Sequence, residues 1–212
     1  MSGELLPLFP LRVVALPDCS IPLHIFEDRY KAMVSLALKE QSEFGIVLAE
    51  GRGIVSAGCS VSVDEVVHRY DDGRMDIVCV GRRRFRIAAL DREEDLLKAH
   101  VQYFDDEDTG STPASRIEAL SAWEQAKPLL PEPQEERIDP TAPQLGFRLA
   151  DAVPDLDARQ VLLELRSEEE RLKQVAAYFR GYAGRLARVT HARRVAPTNG
   201  HGGMDPRAAR YE

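Results

Sequence analysis

Leu5-Leu6-Pro7-Leu8-Phe9-Pro10-Leu11 runs on through Leu16-Pro17 and Pro22-Leu23 and ends on Ile25-Phe26-Glu27-Asp28-Arg29-Tyr30. The order is an apolar strand punctuated by prolines and delivered into an amphipathic helix. Each proline lacks a ladder donor and fixes φ, so prolines belong at strand ends and sheet edges. Glu27 and Asp28 then suit the positive end of a helix dipole. Tyr30, Met33, Val34, Ala37 and Leu38 recur at helical spacing, which predicts a helix over 27–40 packed on a sheet.

Working outward, Phe44 to Ala49 has strand length and is closed by Glu50-Gly51-Arg52-Gly53. Val61, Val63, Val66, His68 and Tyr70 alternate with one slip at Asp64-Glu65, where a bulge is expected. Asp71-Asp72-Gly73 is a hairpin signal, since Asp and Gly tolerate the positive φ of a tight turn. The return strand carries Met75, Ile77, Cys79, Phe85 and Ile87, and a last strand spans about 97–104. Many short strands and one helix predict a small barrel or curled sheet.

From Asp105 onward the character changes. Asp105 to Ser115 reads as an acidic loop, and Asp105, Asp106, Glu107 and Asp108 as solvated. A short helix over 114–127 would place Ile117, Leu120 and Trp123 on one face. Residues 128–143 hold five prolines and read as extended. Asp157 with Gln160, and Ser167 with Glu170, have capping-box spacing. The last helix carries a stripe of Leu172, Val175, Ala176, Phe179, Ala183, Leu186 and Val189 and is expected to end near Val189 or Thr190. The resulting division is 5–104 as a β-rich unit, 105–143 as a linker with a short helix, 144–190 as a helical unit, and 191–212 as a disordered tail.

Composition narrows the function classes. The chain has 212 residues and a formal charge of −7, which argues against nonspecific binding to nucleic acid or an anionic membrane. Its basic end, with seven arginines from Arg180 onward, fits a helix C-terminus and solvated tail. Cys19, Cys59 and Cys79 are odd in number and widely spaced, so they read as small buried hydrophobes in a reducing compartment. The N-terminus lacks a basic leader and carries Arg12 within its apolar run, which argues against a secretion signal. No run reaches the ~18 apolar residues of a membrane span. A cytoplasmic location is the expectation.

Chemistry-bearing motifs are few. Gly51-Arg52-Gly53-Ile54-Val55-Ser56-Ala57-Gly58 has no Lys-Ser/Thr after it, so it cannot cradle nucleotide phosphates and reads as turns flanking a strand. His24, His68, His100, His191 and His201 show no metal spacing. His24 and His68 read as strand or core-edge residues, with a ligand or general-base role as the alternative. Arg82-Arg83-Arg84-Phe85-Arg86 is either a phosphate or acidic-peptide contact or a strand whose arginines face water while Phe85 points inward. Trp123 reads as core beneath the proline-rich loop or as one wall of a groove. No catalytic, cofactor-binding or metal-ligating residue is assigned, and no cofactor is expected.

Three blocks together resemble the N-terminal, substrate-binding domain of Lon-type ATP-dependent proteases. They are Leu8-Phe9-Pro10-Leu11-Arg12 through Pro22-Leu23-x-Ile25-Phe26-Glu27-x-Arg29-Tyr30; Asp72-Gly73 with Val78-x-Val80-Gly81-x-x-Arg84-Phe85-x-Ile87; and Leu149-Ala150 with Val153-Pro154, Gln160-Val161-Leu162-Leu163-Glu164, Ser167 and Glu170-Arg171-Leu172. One departure is Pro17-Asp18, where the family often has Pro-Gly. The resemblance implies an α+β fold: a β-rich, PUA-like pseudobarrel with one packed helix, followed by a helical subdomain. It implies a non-enzymatic module that engages unfolded polypeptide or a protein partner, or acts in trans with a protease. The expectation is a stand-alone member without the ATPase and Ser-Lys protease domains. RNA binding by the PUA-like barrel, or hydrolysis by a spatially assembled dyad, are the alternatives.

Overall fold

The computed structural model describes residues 4–51, 53–91, 96–131 and 138–195. Six strands, β1 (Glu4–Leu11), β2 (Ser20–Ile25), β3 (Phe44–Glu50), β4 (Gly53–Arg69), β5 (Met75–Asp91) and β6 (Lys98–Tyr103), form one sheet in the order β2-β5-β4-β3-β1-β6. A further β5–β6 pairing closes five of them into a ring. β2 hangs outside it on the first half of β5, where Ser20 to Ile25 pair with Val80 to Met75. All pairings but one are antiparallel; β1 and β3 run parallel because the crossover helix α1 (Asp28–Glu40) joins the two halves of the sheet. The fold is α+β, and its barrel is consistent with the PUA-like pseudobarrel expected from the resemblance.

The strand signals were sound. The bulge lies between Val63 and Glu65, and Gly73 turns the β4–β5 hairpin at φ 82°. Length explains the barrel: β4 and β5 each run 17 residues, long enough to serve the outer sheet with one half and the ring with the other. Leu6, Leu8, Val47, Phe85, Ala99 and Val101 fill the ring.

A larger core lies between the sheet, α1 and the later helices: α2 (Pro113–Ala126), α3 (Leu145–Asp151), α4 (Leu156–Glu164) and α5 (Glu168–Val195). Leu172, Val175, Ala176 and Phe179 of α5 are buried there, as their spacing predicted. α5 continues past the expected stop near Thr190; the tail from 196 onward lies outside the described residues. Among the described residues no helix is long and apolar enough to cross a membrane.

Several local expectations are overturned. Ile117 is not on the buried face of α2: it is 67% exposed, and small residues (Ser115, Ala119, Ala122, Ala126) pack beside Trp123 instead. Small side chains let α2 lie close to α5, which sequence periodicity in large hydrophobes could not register. The N-cap of α4 is Asp155, whose carboxylate accepts from the Ala158 amide, in place of Asp157. At α5 the Ser167 hydroxyl does accept from the Glu170 amide at 3.3 Å.

Candidate functional site

Two neighbouring clefts meet at α1. The larger, of ≈ 740 Å³, is walled by Ala32, Met33, Leu36 and Ala37 of the helix, Phe44 of β3, and Pro7 and Leu96 opposite. The smaller, of ≈ 420 Å³, lies at the start of the helix between Phe9, Pro10 and Leu11 of β1 and His24 and Phe26 at the end of β2. Arg29 lines both. Helical periodicity explains the geometry. One face of α1 buries Tyr30, Met33, Val34 and Ala37, with Tyr30 stacked 4.0 Å from Phe9. The flank of the same stripe leaves Leu36 half exposed, and Phe26, just before the helix, is 60% exposed. Large apolar side chains left in water beside a concavity are the features that mark interaction surfaces.

The charges around the clefts are mixed: Arg29 and Lys98 against Glu27 and Glu43. Arg29 is held by the Glu27 carboxylate at 2.7 Å and stacks over Tyr30 at 4.7 Å. The surface therefore carries no strong field of one sign.

The sheet edges beside these clefts are blunted. Gly81 donates its N–H to the Cys19 carbonyl across the Ser20–Val80 pair, so Ser20, Pro22 and His24 turn their backbones away from β5. Pro22 is thus a missing donor on the outer edge of β2. Leu8 donates to the Leu97 carbonyl at 2.8 Å, on the β6 side, and Pro10 faces the same side where β6 has ended. Prolines at both positions obstruct the addition of a further strand.

His24 lies at the rim. Its Nδ1 is 2.6 Å from an oxygen of Asp76, and Tyr70 donates to the other oxygen at 2.8 Å. These bonds hold the Asp76 carboxyl below the usual carboxylate range, the His24 contact contributing most. The His24 ring stacks on Phe26 at 5.9 Å, and His68 meets Tyr70 edge-on at 4.4 Å. No nucleophile completes this arrangement among the contacts of Asp76 and His24, and among the described residues no group of three His, Cys, Asp or Glu could hold a metal.

The arginine run follows the strand reading with one exception: Phe85 is buried and Arg82, Arg83 and Arg86 are exposed, whereas Arg84 turns inward. Arg84 is 4% exposed and turns into the helical subdomain, donating to the Leu163 and Leu165 carbonyls and to Asp106 at 2.5 Å. Arg86 pairs with Glu164, and Arg83 stacks on Tyr103. Asp106, expected in a solvated loop, is buried between Arg84 and Arg171. The sequence offered no partner for it, because the partners lie on strands and helices far along the chain. The cluster is a tie between barrel and helices.

Cys19, Cys59 and Cys79 are all buried and unpaired with one another. Burial raises their thiols, Cys59 and Cys79 to about 12, so they persist as inert thiols. The Pro17-Asp18 departure is also accounted for: Asp18 adopts φ 58°, a left-handed conformation that Asp tolerates better than most residues.

Comparison with known proteins fits this architecture. The family model of the ATP-dependent protease La (LON) substrate-binding domain matches residues 5–179. A Lon N-terminal domain protein from Xanthomonas campestris is 27% identical, with a TM-score of 0.65 over 82% of this chain and 98% of that one. The N-terminal domain of a Mycobacterium avium complex Lon protease shares the fold at 17% identity, with a TM-score of 0.60 over 83% of this chain and 98% of that one. With a matched region that takes in the barrel, α1 and the helical subdomain as far as Phe179, this chain belongs to the LON substrate-binding domain family.

Proposed function

We propose that this chain is a non-enzymatic recognition module that takes apolar segments of unfolded polypeptide into the clefts along α1 and presents them to a protease acting in trans. The observation that carries this reading is the pair of exposed apolar side chains along α1, Leu36 on the cleft of ≈ 740 Å³ and Phe26, just before the helix, on that of ≈ 420 Å³. A substrate that is unfolded displays such side chains and little fixed shape, and an apolar cleft with balanced charges suits it. Recognition by side chains in a groove is favoured over strand addition, because Pro10 and Pro22 deny donors to the two edges nearby. Family membership supports the substrate-binding role. Arg84 turns inward and Arg86 pairs with Glu164, so two of the four arginines in the densest basic run are already engaged within the protein, which weakens the RNA-binding alternative.

The test is a titration of a permanently unfolded, fluorescently labelled polypeptide against the protein and its Leu36→Glu and Phe26→Ser variants, without nucleotide. Saturable binding that both substitutions weaken, at unchanged folding stability, supports the reading. Equal binding by all three proteins, or none by the wild type, contradicts it.

A further inference from the structure

A third cleft, of ≈ 600 Å³, lies where the turn before β2 meets the helical subdomain. It shares no residue with the clefts along α1. One of its walls is Trp123, 1% exposed, whose indole Nε1–H is buried and finds no acceptor among the described residues. A buried indole donor normally has a partner, and losing one costs about 1–3 kcal/mol. The other walls carry Asp18, Asp139, Asp151 and Arg148, and Asp151 is already paired with Arg159 at 3.8 Å, which leaves Asp18 and Asp139 as the carboxylates facing the cleft. Asp139 accepts from the Thr141 amide at 2.8 Å and hydroxyl at 2.7 Å, which hold it ionised below the usual range. Ile138 and Pro143 supply apolar surface beside them.

The geometry points to a binding site for an organic cation on an aliphatic stem next to a carbonyl. The cation, a guanidinium or ammonium, would sit between Asp18 and Asp139. The stem would lie along Ile138 and the carbonyl would accept from Trp123. The volume is that of ordinary small-ligand sites. Two sources offer this chemistry: an arginine or lysine inside a polypeptide, and a free small cation. The inference stands independently of the α1 clefts, because it rests on different residues.

Trp123 is the sole tryptophan of the chain, so it reports on its own site. The experiment follows its indole N–H cross-peak by NMR, and its fluorescence, during titration with N-acetyl-arginine amide. The neutral isostere N-acetyl-citrulline amide is titrated in parallel. The expected result is a saturable shift of the indole resonance with the cation and roughly fivefold weaker binding of the isostere. Asp18→Asn keeps a residue suited to the left-handed backbone and removes one charge, and Asp139→Asn removes another; each should weaken the cation by a similar factor, again roughly fivefold. A short unfolded peptide with one internal arginine separates the sources. Binding of the peptide assigns a polypeptide ligand; binding of the amide alone assigns a free small molecule. An indole resonance that does not move at millimolar cation would overturn the inference and leave the N–H to water. Equal affinity for the citrulline compound, or affinity unchanged in both variants, would overturn it as well.

Discussion

Arg171 of α5 is wholly buried and binds both oxygens of Asp106, through Nη2 at 2.7 Å and Nη1 at 3.1 Å. Asp106 in turn accepts from Arg84 of the barrel, and Arg171 also holds Glu168 at 2.6 Å. Phe147 packs against both guanidinium groups, at 3.7 Å from Arg171 and 5.1 Å from Arg84. Two cations and two carboxylates are thus desolvated together, and the remaining N–H groups go to the Leu162, Leu163 and Leu165 carbonyls. Burial pushes the Glu168 carboxyl up, while the Gly146 amide and Arg171 oppose that push. The balance is complete only while all four members are present.

Asp106→Ala removes the shared carboxylate, leaving Arg84 without a charged partner and two buried arginines against the single carboxylate Glu168. Breaking a buried pair in this way costs about 3–5 kcal/mol. Urea denaturation should show that loss relative to the wild type; a midpoint close to wild type would mean that the tie contributes little.

Phe26 and Tyr30 sit one helical turn apart and should separate folding from binding. Tyr30 is 7% exposed and stacked on Phe9, so Tyr30→Ala should destabilise by roughly 3–5 kcal/mol. Phe26→Ala, at an exposed position, should stay within about 0.5 kcal/mol of wild type while weakening polypeptide binding. Thermal melts alongside binding curves check both; a large stability loss in Phe26→Ala would place it in the core instead.

Gly81 marks where β5 passes against the turn before β2. A Cβ there would collide with the Leu16 carbonyl and approach the Leu16 carbonyl carbon at 2.7 Å, and both are backbone atoms with little freedom to yield. Gly81→Ala should therefore cost at least as much as ordinary core overpacking, about 1–3 kcal/mol. A stability equal to wild type in chemical denaturation would show that the turn can shift.

Glu169 fastens the start of α5 to the start of α2. The Ser115 hydroxyl donates to it at 2.6 Å and the Thr112 amide at 2.8 Å, with Lys173 at 3.0 Å. The Ser115 bond leads the causes that hold its carboxyl at about 2. The folded value lies below the unfolded one, near ~4.3, so its stabilisation is complete above ~4.3 and lost as pH falls toward about 2. Glu169→Gln should be less stable than wild type at neutral pH, and the gap should close through that window. Melting temperatures of the two proteins measured across it would expose a wrong assignment if the gap stayed constant.

Much of this fold was legible because its signals are local. The prolines at sheet edges (Pro10 and Pro22), the Asp71-Asp72-Gly73 turn and the stripe from Leu172 to Phe179 each act over a few residues, and each appears where expected. What stayed hidden depends on distance along the chain. Asp106 and Arg84 looked solvated because the burial of one is decided by the other and by Arg171, 65 residues beyond Asp106. Ile117 looked buried because helix periodicity weighs large hydrophobes, whereas α2 packs through alanines. The clefts had no motif at all: Leu36 falls outside the stripe of Tyr30, Met33, Val34, Ala37 and Leu38, and nothing local marks it or Phe26 as bordering a concavity. Trp123 was readable as core or as groove wall, and it is buried and lines a cleft.

The most direct measurement is chemical-shift mapping of the isotope-labelled protein as an unfolded apolar polypeptide is added without nucleotide. Saturable shifts should cluster on Phe26, Arg29, Met33, Leu36 and Phe44, around the clefts along α1. Shifts confined to other surfaces, or none at saturating polypeptide, would contradict recognition along α1.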